Sequence, residues 1–475
     1  MQTRKDRWQA ELFVAGRLEG LIPEDHLLRQ VDRVVDLSWL HEEVRDCYSQ
    51  DNGRPSIDPE SALRLMLAGF FEGIVHDRKL MRRAQTDVAF RWFAGYRLDE
   101  QLPDHSSLTR IRQRWGAARF KRVFAKTVQA CVKAGLVNAE TVHVDATLIR
   151  ADVSWDSLTT EHVERVLETN QEEEEHHDKA PPTKRPGRPR TKPPKAKKRS
   201  TTDPEATMAT SNKGYHLEPA YKQHTAVEDR SGVIVDVAVT TGEENEGGQV
   251  PEQLRRVEDA TGDTAKTVTA DASYAHAANY AALEASHVDA IIPPQRVAPK
   301  KKGKQRLPAR RFKYDAHHGR VRCPGGKYLH RKGRTADGRG YWYRSRACDC
   351  AGCPLKQRCL SEKTSARTLM IVDGFPALVR ARRRREKGWD EPTRQAYTRH
   401  RWRVEGTHGR AKAQHGLRRA ARRGLANVAI QAYLTAAAMN LKRLAAALAP
   451  RTLLIRLVKA YRRLHRPTTA RFAPA

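Results

Sequence analysis

The sequence has no long apolar run and few cysteines. None of its apolar stretches is long enough to span a bilayer, so we expect no contact with a membrane. The first thirty residues mix Arg, Asp and Glu with apolar residues, and no signal peptide is visible among them. Seven cysteines, several of them clustered late in the chain, favour a reduced cytoplasmic protein over a secreted disulfide scaffold.

Acidic residues are too few to balance the basic ones. The chain has 56 Asp and Glu against 88 Lys and Arg, which gives a net charge of +32 and a pI of about 10.2. A surplus of this size calls for a polyanionic partner, and nucleic acid is the usual one. The alternative is a soluble protein with a few solvated basic tails, but basic residues recur in every segment. We therefore expect nucleic acid as the partner.

The length of 475 residues predicts two to four domains, of which the first, over residues 1–135, is helical. Asp58 is a candidate N-cap and Pro59 a first helical residue. Apolar residues then recur at helical spacing from Leu63 to Ile74 and cover most sides of the helix. This pattern is typical of a buried helix.

A second helix is predicted to begin after Asp104, with an apolar back and a basic front. The apolar stripe consists of Leu108, Ile111 and Trp115. The cations off that stripe include Arg110, Arg112 and Arg114. Such a helix suits a DNA groove, as in helix-turn-helix proteins, and a solvated basic face is an equal alternative.

Residues 136–300 predict a mixed α/β sheet with helices packed on it. In TVHVDATLI, alternation with a period of two puts Asp145 in or at the end of a strand. Aspartate is a poor strand former, so a strand-edge hydrogen bond, a turn or a metal site must explain it. Val268 and Ala270 predict a short buried strand that ends at Asp271.

Two insertions interrupt this pattern. Residues 160–210 combine the acidic run QEEEEHHD with KRPGRPRTKPPKAKKR, and we expect a disordered, charged insertion there. Residues 301–390 predict an irregular segment with clustered cysteines. Four of these thiolates could close a tetrahedral Zn²⁺ site, and free reduced thiols are an equal alternative. The four are Cys323, Cys350, Cys353 and Cys359.

The region 391–475 predicts C-terminal helices, the first of which contains one carboxylate among many cations. In YTRHRWRVEGTHGRAK, Glu405 is the single acidic residue. A lone carboxylate in a cationic field could hold a divalent metal ion while the cations bind phosphate. An exposed basic helix with one ordinary ion pair is the alternative.

Three carboxylates are distinguished by their positions at two strand ends and on one late helix: Asp145, Asp271 and Glu405. Adjacent strand ends and a flanking helix can bring them together. Carboxylate oxygens suit Mg²⁺ or Mn²⁺, which retain coordination sites for water and phosphate. A pair of such ions can activate an attacking oxygen and stabilise a leaving one.

Three segments together resemble the catalytic signatures of insertion-sequence transposases of the Asp-Asp-Glu, ribonuclease-H-like class. These are HVDAT, ADASY and Arg401-x3-Glu405-x6-Lys412. The last signature of the family reads Tyr-x2-Arg-x3-Glu-x6-Lys, whereas here Tyr397 stands one place early. Ser273 stands where the family usually has glycine. The helical stretch 57–115 and the CPGG cysteine segment also resemble parts of this family.

The resemblance implies a ribonuclease-H-like fold in which Asp145, Asp271 and Glu405 bind Mg²⁺ or Mn²⁺ and in which Arg401 and Lys412 hold phosphates. It implies hydrolysis at each end of an insertion sequence, followed by joining of the 3′ ends to target DNA. It also implies a homodimer on DNA, in the bacterial cytoplasm at the nucleoid. A non-catalytic repressor derived from a transposase, and a nuclease that does not join strands, are the alternatives.

Overall fold

The computed structural model describes residues 16–49, 56–160, 198–209, 217–295 and 307–464. Most of the predicted charged insertion, residues 161–197, and the segment 210–216 lie outside the described residues. The rest of the insertion contributes two short strands. The α-helices are α1 (Leu27–Asp32), α2 (Leu40–Glu43), α3 (Pro59–Phe71), α4 (Asp77–Thr86), α5 (Val88–Phe93), α6 (His105–Lys133), α7 (Val250–Thr261), α8 (Ala277–Ala285), α9 (Ala347–Ala351), α10 (Lys356–Cys359), α11 (Phe375–Lys387), α12 (Glu391–His400), α13 (Gly406–Gln414) and α14 (Leu425–Leu464).

The helical N-terminal region is confirmed. Two of its helices begin directly after an aspartate whose side chain caps the first turn. The Asp58 carboxylate accepts a hydrogen bond from the Ser61 amide at 2.7 Å and caps α3. Asp104 caps α6 in the same way through the Ser106 amide, at 2.8 Å. Gly116 kinks α6 because its φ of 70° lies in the left-handed region that favours glycine.

The long helix α14 joins this N-terminal region to the rest of the protein. One contiguous apolar core contains residues of α3, α6, the main sheet and α14. The rings of Phe124 and Tyr433 stack with centroids 6.3 Å apart. The Asn440 amide pairs with the backbone of Ile234, accepting at 2.9 Å and donating at 2.8 Å. The N-terminal helices therefore share a core with the sheet that carries the candidate site.

The strands are β1 (Thr141–Arg150), β2 (Leu158–Thr160), β3 (Lys198–Ser200), β4 (Thr207–Ala209), β5 (Glu218–Glu228), β6 (Ile234–Thr241), β7 (Thr267–Thr269), β8 (Asp289–Ile291), β9 (Lys313–Asp315), β10 (Arg320–Arg322), β11 (Tyr328–Arg334), β12 (Gly340–Ser345) and β13 (Thr368–Val372). The main sheet has the strand order β4-β5-β1-β7-β8, and β6 pairs with β5 beside β4. Strand β1 is antiparallel to β5 and parallel to β7, which is in turn parallel to β8.

The segment predicted to be irregular between residues 301 and 390 is instead largely a second sheet. Its order is β13-β12-β11-β10-β9, all antiparallel, and α11 follows it. Its inner face forms a small apolar core of its own. Many outward positions of β9 to β11 are Arg, Lys or His, which hides the alternation in the sequence, whereas Trp342 and Met370 are exposed on β12 and β13. The prediction of irregular structure is therefore wrong for residues 313–372.

Candidate active site

Asp145 and Asp271 are brought to the same level of the sheet by the register of two parallel strands. Residues 141–143 of β1 pair with residues 267–269 of β7. Asp145 lies two residues beyond that pairing within β1, and Asp271 lies two residues beyond it in the turn after β7. Asp271 follows its short strand as predicted, whereas Asp145 does not end its strand, because β1 continues to Arg150. The two carboxylates therefore lie at one level of the sheet, on adjacent parallel strands.

Glu405 ends a π-helical turn, Arg401–Glu405, which lies between α12 and α13. A π-turn accommodates one extra residue within a helix, and such turns are frequent at functional sites. The extra residue between Tyr397 and Arg401, relative to the family signature, lies in the last turn of α12, directly before this π-turn. Burial raises the pKa of Tyr397, and the charge of Asp271 raises it further. Tyr397 therefore faces the candidate site in spite of its shifted position.

The charges of the other two carboxylates act on Asp145. Burial raises the pKa of Asp145 to about 7, and the negative charges of Asp271, Glu246 and Glu405 contribute in the same direction. Like charges that crowd a buried acid disfavour its ionised form, and a cation between them would reverse that effect. The site therefore has the charge distribution that a divalent cation requires.

A neighbouring histidine does not neutralise this crowding. His408 Nδ1 lies 3.6 Å from an Asp145 carboxylate oxygen. Burial lowers the pKa of His408 to about 3, so the imidazole is neutral. Its Nε2 lies 3.0 Å from the hydroxyl of Thr225, the residue that pairs with Asp145 across β5. His408 therefore orders this part of the site without supplying positive charge.

Sequence reasoning missed a fourth acidic residue, Glu246, in the turn that follows β6. The Ser273 hydroxyl lies 2.5 Å from an Asp271 oxygen and 3.0 Å from a Glu246 oxygen. Lys222 Nζ lies 3.2 Å from the other Glu246 oxygen. The acidic run GEENEGG directly after a strand was the signal in the sequence that could have identified it.

The two predicted phosphate-binding cations occupy different environments. Arg401 lies 3.4 Å from Glu405, and both side chains are exposed. Lys412 is half-buried, and burial together with the charges of Arg418 and Arg150 lowers its pKa. The charge of Asp145 acts on the pKa of Lys412 in the opposite direction. Cations therefore border the acidic site on the α12–α13 side.

One of the predicted DNA-binding arginines is not available at the surface. Arg112 is only 3% exposed, and its guanidinium pairs with the buried carboxylate of Asp77, which also accepts from Arg422 at 2.7 Å. The prediction that Arg112 contacts DNA is wrong, because its side chain holds α6 against α4 and the loop before α14. Arg110 and Arg114 are exposed, as predicted.

The four predicted zinc ligands, Cys323, Cys350, Cys353 and Cys359, line a single cavity under the second sheet. Burial raises the pKa of Cys359, and the other three thiols act on it in the same direction. A Cβ added at Gly325 would lie 3.3 Å from Cys353 Sγ and 3.7 Å from Cys323 Sγ. Gly325 thus permits the two thiols to approach each other. All four cysteines are free thiols.

Within the described ranges, no group of three or more His, Cys, Asp or Glu side chains has the arrangement of a formed metal site. This holds for the carboxylates and for the cysteine cavity alike. The described carboxylates and the described cysteines therefore do not have the coordination geometry of a metal site.

Among the described helices, none is long and apolar enough to cross a membrane.

Two family models match the chain. Residues 16–114 match the Transposase domain (DUF772), and residues 322–445 match the Transposase DDE domain. The second match includes Glu405 and the cysteine segment, and begins after both aspartates. No curated protein matches the chain.

Solved transposase structures are similar to the chain at low scores. A piggyBac transposase synaptic complex with hairpin DNA is 10% identical over 94% of this chain and 82% of that chain, with a TM-score of 0.29. A Mos1 transposase paired-end complex with the left transposon end is 10% identical over 53% of this chain and 65% of that chain, with a TM-score of 0.16. On the two family matches, the chain belongs to the insertion-sequence transposases of the Asp-Asp-Glu class.

Proposed function

We propose that this transposase cuts phosphodiester bonds at the ends of an insertion sequence and joins the 3′ ends to target DNA. The observation that carries the proposal is the register of β1 and β7, which sets Asp145 and Asp271 at one level of the sheet, together with the packing of the Arg401–Glu405 turn against β1. The strand arrangement around Asp145, an antiparallel hairpin on one side and a parallel strand on the other, supports a ribonuclease-H-like core.

The residues at this site fit Mg²⁺ or Mn²⁺, because the donors are carboxylate oxygens under mutual repulsion. We propose Asp145, Asp271 and Glu405 as the ligands of two cations, which would activate the attacking oxygen and stabilise the leaving one when bound. Lys412 and Arg401 would hold the phosphates next to the scissile bond. The neutral His408 side chain, on α13, connects this helix to Thr225 of β5 next to Asp145.

A cleavage assay tests this function directly. Linear DNA that carries the element ends is incubated with the protein, with and without Mg²⁺. The proposal predicts cation-dependent nicks at the ends, followed by joined products when target DNA is added. Cutting without joining would indicate a nuclease, and binding without cutting would indicate a repressor; either result contradicts the proposal.

The protonation of Asp145 predicts how its replacement alters stability. With a folded pKa of about 7 against an ordinary value of 3.8, Asp145 destabilises the fold increasingly as the pH rises through this interval. Asp145→Asn should therefore raise the melting temperature of the cation-free protein at about pH 8, with little change near pH 4. Asp259→Asn, at an exposed site on α7, is the control. Equal shifts at both pH values would contradict the assignment.

We further propose that the region 1–135 recognises the element ends, that residues 136–300 and 391–475 form the catalytic core, and that 301–390 is an inserted unit. Because the N-terminal helices share the main core, point substitutions on α6 test recognition better than deletion. Arg110→Ala with Arg114→Ala should lower the preference for element ends over random DNA by about 1–3 kcal/mol per arginine.

Lys133→Ala, at an exposed position in the last turn of α6, is the control for these two substitutions. Binding to both DNAs is measured by fluorescence anisotropy at several salt concentrations, because phosphate contacts alone produce a salt-dependent loss for every sequence. If affinity falls by the same factor for both DNAs, the two arginines contact only the phosphates of the DNA, which would contradict the recognition role.

For the cysteine cavity, we propose a structural Zn²⁺ bound by Cys323, Cys350, Cys353 and Cys359. Four thiols around one cavity have the donor type and number of a structural zinc site. Elemental analysis should find about one zinc per chain, and Cys353→Ser should reduce it to near zero. Cys348→Ser, which changes an exposed thiol of the same segment, should leave it intact. Absence of zinc from the wild type would contradict the site.

The partner is proposed to be double-stranded DNA, bound by a homodimer at the bacterial nucleoid. The net charge of +32 supports the DNA partner. The mass of the complex with one DNA end, measured by light scattering, should equal two chains plus the DNA. A complex with one chain would contradict the dimer.

A further inference from the structure

Glu246 is joined to Asp271 by a single hydroxyl group. Ser273 Oγ lies within hydrogen-bond distance of both carboxylates, at 3.0 Å and 2.5 Å. A serine hydroxyl has one proton, so it can donate to only one of them at a time. Lys222, whose Nζ also donates to the Glu244 carbonyl at 2.7 Å, holds the second Glu246 oxygen. Both oxygens of Glu246 are thus fixed.

The turn that carries Glu246 is locked to the turn that carries Asp271. The buried Asn279 amide donates to the carbonyl of Gly247 at 2.7 Å and to that of Tyr274 at 3.0 Å. A Cβ added to Gly247 would overlap the ring of His276, so only glycine permits this approach. Glu246 therefore stands beside the site because of packing, and not as part of a loose surface loop.

A buried hydroxyl next to these carboxylates has no partner. The Tyr274 side chain is fully buried, and its hydroxyl makes no hydrogen bond to any described residue. Burial raises the pKa of Tyr274 well above its usual value, and the charges of Asp145, Glu246 and Asp271 add to this effect. Leaving such a group unsatisfied is costly, so a ligand or water in the site is needed to accept from it.

We propose that Glu246 is a fourth carboxylate of the divalent cation site, that Ser273 positions Glu246 and Asp271 together, and that the Tyr274 hydroxyl donates to water held in the same site. This inference rests on the proposed function, because it requires a cation between Asp145 and Asp271. Ser273 stands where the family signature usually has glycine, and glycine could not form the bridge. The proposal thus gives Ser273 a role that the glycine of the signature could not perform.

Direct cation binding by the full-length protein, without DNA, tests the proposal. Free Mn²⁺ is measured by electron paramagnetic resonance during a titration. Glu246→Gln should weaken Mn²⁺ binding by about 10-fold or more, the usual size of an effect from groups that orient metal ligands. Ser273→Gly should weaken it in the same direction. Glu258→Gln, on α7, where the carboxylate accepts a hydrogen bond from the exposed Thr264 hydroxyl, should bind as the wild type does.

This experiment distinguishes a failure of the role of Glu246 from a failure of the cation site itself. If Asp145→Asn weakens Mn²⁺ binding while Glu246→Gln and Ser273→Gly bind as the wild type, the role of Glu246 is overturned and the proposed function stands. If Asp145→Asn and Glu405→Gln also bind as the wild type, the cation site itself is overturned. Glu246→Asp guards against a folding defect, since it keeps the charge and should retain more affinity than Glu246→Gln; equal loss in both would contradict a charge-based role.

Discussion

Replacing Asp145 with Asn should lower the rate of cleavage at DNA ends by about 10³-fold, the size of effect expected when one preorganised electrostatic contact to the transition state is lost. Asparagine keeps the shape of the side chain and removes its charge. DNA affinity should change little, because phosphate contacts by cations dominate it. Single-turnover cleavage with Mg²⁺ and fluorescence anisotropy measure the two quantities separately.

The matched control for this substitution is Asp259→Asn, at an exposed position on α7 where the side chain pairs with Arg255. It should cleave and bind as the wild type does. Two outcomes would contradict a catalytic role for Asp145. One is cleavage by Asp145→Asn at the wild-type rate, and the other is a loss of DNA binding as large as the loss of cleavage.

Replacing Asp77 with Ala should reduce the free energy of unfolding by about 3–5 kcal/mol, because it leaves a buried guanidinium without its partner. The Arg112 side chain is 4% exposed and pairs with Asp77, which also accepts from the Thr109 hydroxyl at 2.8 Å. Arg422, from the loop before α14, completes the cluster. Urea denaturation measures the change.

The exposed ion pair between Arg255 and Asp259 provides the comparison for Asp77. Asp259→Ala should change the free energy of unfolding by less than about 1 kcal/mol, as is usual for a surface pair. If Asp77→Ala were equally mild, the cluster would not be the link between the N-terminal helices and the C-terminal region.

Features that depend on a few neighbouring residues could be predicted from the sequence. The cap at Asp58 and the strand around Asp145 are of this kind, because capping and alternation act over a few residues. The shared level of Asp145 and Asp271 could be predicted from adjacent strands, although Asp145 lies inside β1 and the register of β1 with β7, not a common strand end, sets that level. Transposase membership, inferred from three short signatures, is confirmed by the two family matches.

Features that depend on distant packing could not be predicted. Arg112 belongs to a basic helix face by spacing, yet its partner Asp77 lies 35 residues upstream and draws it inside. Glu246 meets Ser273 across 27 residues because two turns pack together around Asn279. The second sheet was missed because its first three strands are short or rich in Arg, Lys and His, so each of them shows only one or two apolar residues.

The shared binding of cations by Asp145, Asp271 and Glu405 is tested most directly by locating Mn²⁺ in crystals of the protein bound to element-end DNA. Anomalous scattering identifies the ions without reference to activity. We expect peaks within about 2.0–2.6 Å of carboxylate oxygens from all three residues, the range for oxygen ligands of hard divalent cations. Peaks bound elsewhere, or a site from which any of the three carboxylates is absent, would contradict the proposed catalytic centre.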